Sequence, residues 1–480
     1  MTPTRTRRAA RGPAAIAVLS TAQFLIALDY SIVYVALPDI AEGLRLTGAA
    51  SQWIVSAYAT VFAGFLILGG RLTDRLGGRR VFLAAVALFG AASAVGGAAP
   101  GGTALVAARA VQGLGAALLQ PAVLGLIGAT FPAGRERVRA LSVWGSVGAA
   151  GLVAGVVLGA ALTAVSWRLV LWVNVPLALA CALGAAARFA PPRAGGAGTG
   201  ARGIGGGRAA VAGGGAGTRI PVRATVLSTG AVVGTAAGLT FGAAWGWRGW
   251  GAYASLGGGL VLGAAFVRHE RAAAAVLVDR ALRRAASLRA GAVATALYMA
   301  SVGSEFYLLT LLLQSARGYS PLRAGLAFVP AALLVTAGST AAGRLMRRRP
   351  PAPVLAGGFA VSAAGLLWLA LTAADPAYAT GLLPGLLLSG FGHGVVYAAM
   401  FALGTRDAPP ALHGTAGALL TTSQYVSGTL MVAVLTAVLG HAPTLAAYRT
   451  AFLLTAAAAL AGAAAACRFR PERRRGDPCR

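Results

Sequence analysis

The sequence predicts an all-α transmembrane protein, and three observations carry that prediction. Fourteen apolar stretches of roughly 20 residues fill the chain between Ala14 and Cys467, each long enough for a helix to cross a ~30 Å hydrocarbon core. Hydrophobic residues make up 57% of the 480 residues and charged residues only 11%, against about 25% in a soluble domain. The arginines gather in alternate connections, the pattern that orients helices across a membrane. A backbone in hydrocarbon must satisfy its own hydrogen bonds, so each stretch is expected to be a helix.

The first six stretches are 14–37, 51–70, 80–99, 104–130, 138–164 and 168–188, a bundle over residues 14–188. The first follows Arg5, Arg7, Arg8 and Arg11 as a signal peptide would. It is too long for one, contains Asp29 and shows no convincing cleavage site, so it reads as a helix that stays. Residues 189–223 are rich in Gly and Arg and predict a flexible cytoplasmic tether. Their G-x-G patterns are low complexity, because a phosphate-binding loop needs a strand before it and a helix after it. Two further stretches, 224–244 and 251–267, follow the tether.

Residues 268–289 alternate Val276, Leu277 and Leu282 with Arg280, Arg283 and Arg284. This segment reads equally as a short amphipathic helix on the membrane surface or as a solvated basic loop. The last six stretches, 290–314, 323–343, 353–373, 379–402, 414–440 and 448–467, form a second bundle over 290–467. Gly70-Arg71-Leu72 closes the second stretch and Gly343-Arg344-Leu345 the tenth, a weak internal repeat of the kind duplicated transporter halves carry.

Charge sets the orientation. With both termini cytoplasmic, 34 of the 41 arginines fall on that side, six fall outside, and Arg109 lies within a helix. An odd number of helices would scramble this bias. The net charge of +29 does not point to nucleic acid, because the arginines sit between apolar spans. Lysine is absent beside abundant Ala, Gly and Arg, which suggests a GC-rich bacterial genome and an inner-membrane location. Cys181, Cys467 and Cys479 have no metal-like spacing and read as free thiols. No nucleotide loop, metal cluster or catalytic triad stands in any soluble segment, so neither an enzyme nor a cofactor is expected.

The candidate functional residues are the few polar ones within or beside the helices. Gly70, Asp74, Arg75, Gly77 and Arg79 belong to a tight charged turn between the second and third stretches. Asp74 can pair with Arg75 or Arg79, or with the positive end of a neighbouring helix, and such a contact latches two bundles together. The bland alternative is an arginine cluster that only sets topology.

This turn resembles the signature loop of the major facilitator superfamily. Further motifs are similar to its 14-helix drug:proton antiporter group. They are Leu28-Asp29-Tyr30-Ser31-Ile32-Val33-Tyr34-Val35-Ala36-Leu37-Pro38, Gln52-Trp53 with Tyr58, Arg109 with Gln112, Gly113 and Gly115, Trp167-Arg168 with Asn174-Val175-Pro176, and Leu313-Gln314 with Gly318-Tyr319-Ser320-Pro321 and Ala324-Gly325. The resemblance implies two six-helix bundles plus two extra helices, and proton-coupled export of lipophilic, often cationic drugs or antibiotics by alternating access. It implies small substrates, protons and the bilayer as partners. The chain departs from the group in helix five, where Gly155-Val156-Val157-Leu158-Gly159-Ala160 stands for G-P-x-x-G-G. Strict proton antiport is therefore one reading beside an uncoupled or differently coupled metabolite exporter. A non-transporting sensor on the same fold is a third.

Asp29 lies within a helix, where a charge costs about 2.5–3.5 kcal/mol and usually faces a cavity. It is the first candidate proton carrier, against an acid bonded for packing. Arg109 is expected to neutralise it or relay protons, against an arginine snorkelling outward. Glu305 is the second acid within a helix, and at 3.6-residue spacing it shares a stripe with Tyr298 and Ser301. Tyr30, Tyr34, Gln112, Tyr298, Ser301 and Gln424 are the expected walls of a substrate cavity. His393, within Gly390-Phe391-Gly392-His393-Gly394, reads as a buried, hydrogen-bonded histidine on a packing face.

Overall fold

Helices long and apolar enough to cross a membrane number 14 in the computed structural model, and no strand occurs among the described residues, which are 3–46, 48–132, 134–189, 222–245, 249–272, 276–440 and 443–469. They are α1 (Gly12–Gly43), α2 (Trp53–Leu76), α3 (Gly78–Gly97), α4 (Gly102–Thr130), α5 (Arg135–Thr163), α6 (Leu169–Arg188), α7 (Val222–Leu239), α8 (Trp250–Ala272), α9 (Ala286–Ala316), α10 (Leu322–Leu345), α11 (Pro351–Thr372), α12 (Tyr378–Gly404), α13 (His413–Leu439) and α14 (Leu445–Arg468). Most of the Gly/Arg-rich tether and of the arginine-rich C-terminus lie outside the described residues.

Glycine decides where the first bundle packs tightly. A Cβ on Gly155 of α5 would fall 2.0 Å from the Ser31 hydroxyl and 2.6 Å from the Leu28 carbonyl of α1. One on Gly151 would fall 2.8 Å from the Phe24 carbonyl. The α1–α5 seam is thus a small-residue contact, although helix five lacks the proline of the resembled motif. Elsewhere in this bundle α2 packs on α4, and α3 on α4 and α6. In the second bundle α12 packs on α10 and α11, α11 on α14, and α9 on α12, α13 and α14. Between the bundles, α13 meets α2 and α4, while α5 meets α10 and α12. The pair α7–α8 stands beside α2, where the Thr229 hydroxyl donates to the Gly64 carbonyl at 2.9 Å.

Three local features differ from the sequence reading. The charged turn is largely helix: α2 continues through Gly70 and Asp74 to Leu76, and only Gly77, at φ +89°, breaks it before α3 begins. Nothing before Gly77 opposes a helix, and Arg75 suits its negative end. Next, α9 carries π-helical turns at Met299–Gly303 and Leu312–Ala316. A π-turn inserts a residue, so the 3.6-residue stripe of Tyr298, Ser301 and Glu305 does not hold. Finally, the basic segment forms a five-residue helix, Arg280–Arg284, but its apolar residues Leu277 and Leu282 are fully buried within the protein and are not offered to lipid.

Candidate functional site

Asp29 sits midway along α1 and is 0% exposed. The Arg109 guanidinium from α4 donates to its Oδ2 at 2.7 Å. Its Oδ1 accepts from the Gln112 amide at 2.7 Å and from the Asn174 amide at 2.7 Å. Gln112 also donates to the Ser93 hydroxyl of α3 at 2.8 Å and accepts from Arg109 at 2.6 Å. Arg109 donates to the Ile54 carbonyl of α2 at 3.2 Å and lies 4.3 Å from the centre of the Tyr58 ring. One cluster therefore ties α1, α2, α3, α4 and α6 together. A buried charge needs both a counter-charge and hydrogen bonds, and Asp29 has both.

This geometry corrects two expectations. Asp29 does not face an open cavity; donors from two other helices enclose it. Gln112 is not a cavity wall either, because its amide is used on Asp29, Ser93 and Arg109. Arg109, at 2% exposure, does not snorkel outward. Asn174 was legible only as part of a motif. Its position depends on a break at Val173, where α6 divides into Leu169–Trp172 and Asn174–Arg188, with Pro176 tolerated in the first turn of the second piece.

The second acid belongs to the other bundle. Glu305 is 5% exposed and its Oε1 accepts from the Ser389 hydroxyl of α12 at 2.6 Å. Tyr298 is hydrogen-bonded to His393 Nε2, across α9 and α12. Ser301 is fully buried and donates to the Leu297 carbonyl of its own helix at 2.6 Å. The Gln424 amide lies 3.9 Å from Met299 Sδ. Tyr298 and Gln424 thus meet groups of neighbouring helices and Ser301 bonds within its own, and all three are buried. Tyr34 alone of the expected wall residues is exposed, at 46%, and its ring meets Tyr30 edge-on at 5.5 Å. The structure does not bring Asp29 and Glu305 into one site.

The bundles meet at the end that carries Asp74. Both Asp74 carboxylate oxygens accept backbone N–H groups of the first turn of α13, Gly414 and Thr415, each at 2.9 Å. A helix N-terminus leaves such N–H groups unpartnered and carries partial positive charge, so the carboxylate satisfies both. Asp74 forms no ion pair with Arg75 or Arg79 among the described residues. Gly70 allows the approach, since a Cβ there would lie 2.8 Å from Thr415 Cα. Beside it, Arg137 donates to the Phe131 and Gly128 carbonyls and approaches His413 Nε2 at 3.5 Å. On the other seam the Ser339 hydroxyl donates to the Ser142 carbonyl at 2.8 Å. Trp144 of α5 is fully buried there, 5.5 Å from the Tyr397 ring and 5.2 Å from Phe401. Both seams are closed at this end.

A helical membrane chain of two bundles that meet along α2–α13 and α5–α10 has the architecture of a transporter. The description of the Major Facilitator Superfamily matches residues 19–221 and 216–432, and the chain belongs to that family of membrane transporters. It is 34% identical over 439 residues to the cephamycin export protein CmcT of Amycolatopsis lactamdurans, covering 91% of this chain and 87% of that one. It is 34% identical over 431 residues to the puromycin resistance protein pur8 of Streptomyces alboniger, covering 88% and 81%. The multidrug efflux pump LfrA of Mycolicibacterium smegmatis is 31% identical over 382 residues, covering 77% and 69%. Among solved structures, the human organic anion transporter MFSD10 superposes with a TM-score of 0.66 at 16% identity, covering 97% of this chain and 100% of that one. The proton:xylose symporter XylE superposes with a TM-score of 0.67 at 13% identity, covering 97% of both chains. These two likenesses concern the fold alone.

Proposed function

We propose that this protein is a secondary active exporter of lipophilic, often cationic drugs or antibiotics, driven by proton antiport through alternating access. The observation that carries the coupling is the enclosed Asp29–Arg109 pair. Protonating Asp29 removes the one ion-pair partner that Arg109 has among the described residues and leaves a buried cation uncompensated. Proton occupancy and the packing of five helices are then linked, which a coupled carrier requires. The export and resistance functions named for CmcT, pur8 and LfrA support the substrate class. Asp74 on the N-terminus of α13 acts as the latch that favours one conformation. Both termini and the tether are cytoplasmic in this reading, which makes the Asp74 end the cytoplasmic one. The membrane is the bacterial inner membrane, whose potential adds about 2.3 kcal/mol per charge per 100 mV.

One observation favours a second reading. Asp29 already accepts from Arg109, Gln112 and Asn174, which also describes an acid that serves only to hold the helices together. Export would then be uncoupled or differently coupled. Everted vesicles given a panel of dyes and antibiotics separate the two. Uphill uptake that a protonophore abolishes supports antiport; uptake that a protonophore leaves unchanged supports the second reading.

A further inference from the structure

We propose that Glu270 is a positioning residue for the transport cycle. It holds residues 276–284 as a strap that sets Leu277 into the seam between the two bundles, so that the extra pair α7–α8 becomes part of the closed end. The inference goes beyond the proposed function and does not depend on which compound is carried.

Glu270 lies in the last turn of α8, where a carboxylate opposes the helix dipole, and it is only 5% exposed. An acid in that place needs compensation. Glu270 Oε1 accepts the Leu277 backbone N–H at 2.6 Å and Oε2 accepts that of Val278 at 3.0 Å. The Arg283 guanidinium closes the loop by donating to the Glu270 carbonyl at 2.6 Å. Asp279 caps the helix Arg280–Arg284 by accepting the Ala281 N–H at 2.8 Å. The strap is therefore built around the carboxylate, not draped over it.

Its placement gives it a role. Arg71, near the end of α2, donates to the Val276 carbonyl at 2.7 Å. Leu277 is 0% exposed and belongs to an apolar cluster with Ile67 of α2 and Ala224 of α7. Phe266 of α8 and Leu419 of α13 pack against that cluster. Ile67 and Leu419 stand on either side of the α2–α13 seam, at the level where Gly70 faces Ala418. One turn further on, Asp74 caps α13. Among the described residues the strap is joined to α2 and α8 by hydrogen bonds, and Leu419 joins its cluster to α13 by apolar contact. When this end opens, the parting surface runs between Leu277 and α13. Loosening the strap shifts the closed–open balance toward open, because a contact made only in the closed state is lost.

The test uses the purified full-length chain in lipid nanodiscs, with Cys181, Cys467 and Cys479 replaced by Ala, and it needs no transported compound. A single Leu419→Cys reports opening through its rate of alkylation by a polar maleimide. A Leu277→Cys/Leu419→Cys pair reports closure through its yield with a short bifunctional methanethiosulfonate. In Glu270→Gln, whose amide presents a donor to one of the two backbone N–H groups, alkylation should rise about fivefold or more and the cross-link yield should fall. Leu277→Ala leaves the Glu270 turn intact and should raise alkylation in the same direction, which keeps the test decisive if Glu270→Gln does not fold. Alkylation rates equal to the parent in the folded variants, with the cross-link yield unchanged in Glu270→Gln, overturn the proposal. The result stands apart from the proton-antiport reading, because neither readout involves a proton gradient.

Discussion

At the residue scale, the behaviour of Asp29 follows from its partners. It and Arg109 form a buried pair with 0% and 2% of their surfaces exposed, and removing one member of such a pair typically costs about 3–5 kcal/mol. Asp29→Asn should therefore lower the thermal midpoint of the detergent-solubilised protein as well as abolish uphill export. Asp29→Asn combined with Arg109→Gln should recover most of the midpoint, because no uncompensated charge remains, yet export should stay lost. A single variant that melts like the parent and still exports uphill would remove Asp29 from both roles. Of the enclosing shell, Arg109 was legible as a neutralising partner, and Gln112 and Asn174 as members of motifs. Asp29 stands out as an acid in an apolar run, but Ser93 is a small polar residue of ordinary appearance, and only helix packing sets it behind Gln112 and brings Asn174 onto the carboxylate.

At the element scale, helix ends and helix seams do the work. Asp74 holds the first turn of α13 by accepting two backbone N–H hydrogen bonds on its carboxylate, an arrangement worth about 0.3–1 kcal/mol from the helix dipole and about 1 kcal/mol from capping. Asp74→Asn should reduce transport while leaving the amount of protein in the membrane unchanged, measured by vesicle uptake beside an immunoblot. Parental uptake rates in that variant would separate the cap from the mechanism. The α1–α5 seam gives a different expectation. Gly155→Val forces a branched side chain onto the Ser31 hydroxyl and the Leu28 carbonyl, and overpacking of this kind costs about 1–3 kcal/mol. It should lower the yield of folded protein on size-exclusion chromatography, whereas Gly257→Ala, where nothing lies within 4 Å, should not.

At the scale of the whole molecule, the arginine distribution makes a topological prediction. Reporters fused after Arg223 and at the C-terminus should both behave as cytoplasmic, because arginine-rich connections stay on that side. A periplasmic signal at either site would overturn the 14-helix topology with both termini cytoplasmic, and with it the assignment of the closed end. The same orientation says that opening to the cytoplasm must break the Asp74 cap, the Ser339–Ser142 bond and the Trp144 aromatic cluster together.

The sequence by itself determined the fourteen helices and the family to which the chain belongs. Helix length, apolar composition and charge bias are local quantities, and the bilayer as solvent leaves little else for such stretches to do. Single residues such as Asp29, Arg109 and Asp74 were legible for the same reason, since charge in or beside a membrane helix is conspicuous. Tertiary structure decided the rest. It decided that Gln112 and Ser301 are enclosed, that Asp74 bonds to a helix end about 340 residues away in the chain rather than to the arginines beside it, and that a basic segment hides Leu277 in a seam. Those outcomes depend on π-turns in α9, on glycines that let helices approach, and on which faces meet. None of these is a property of a residue and its near neighbours, so no local pattern carries them.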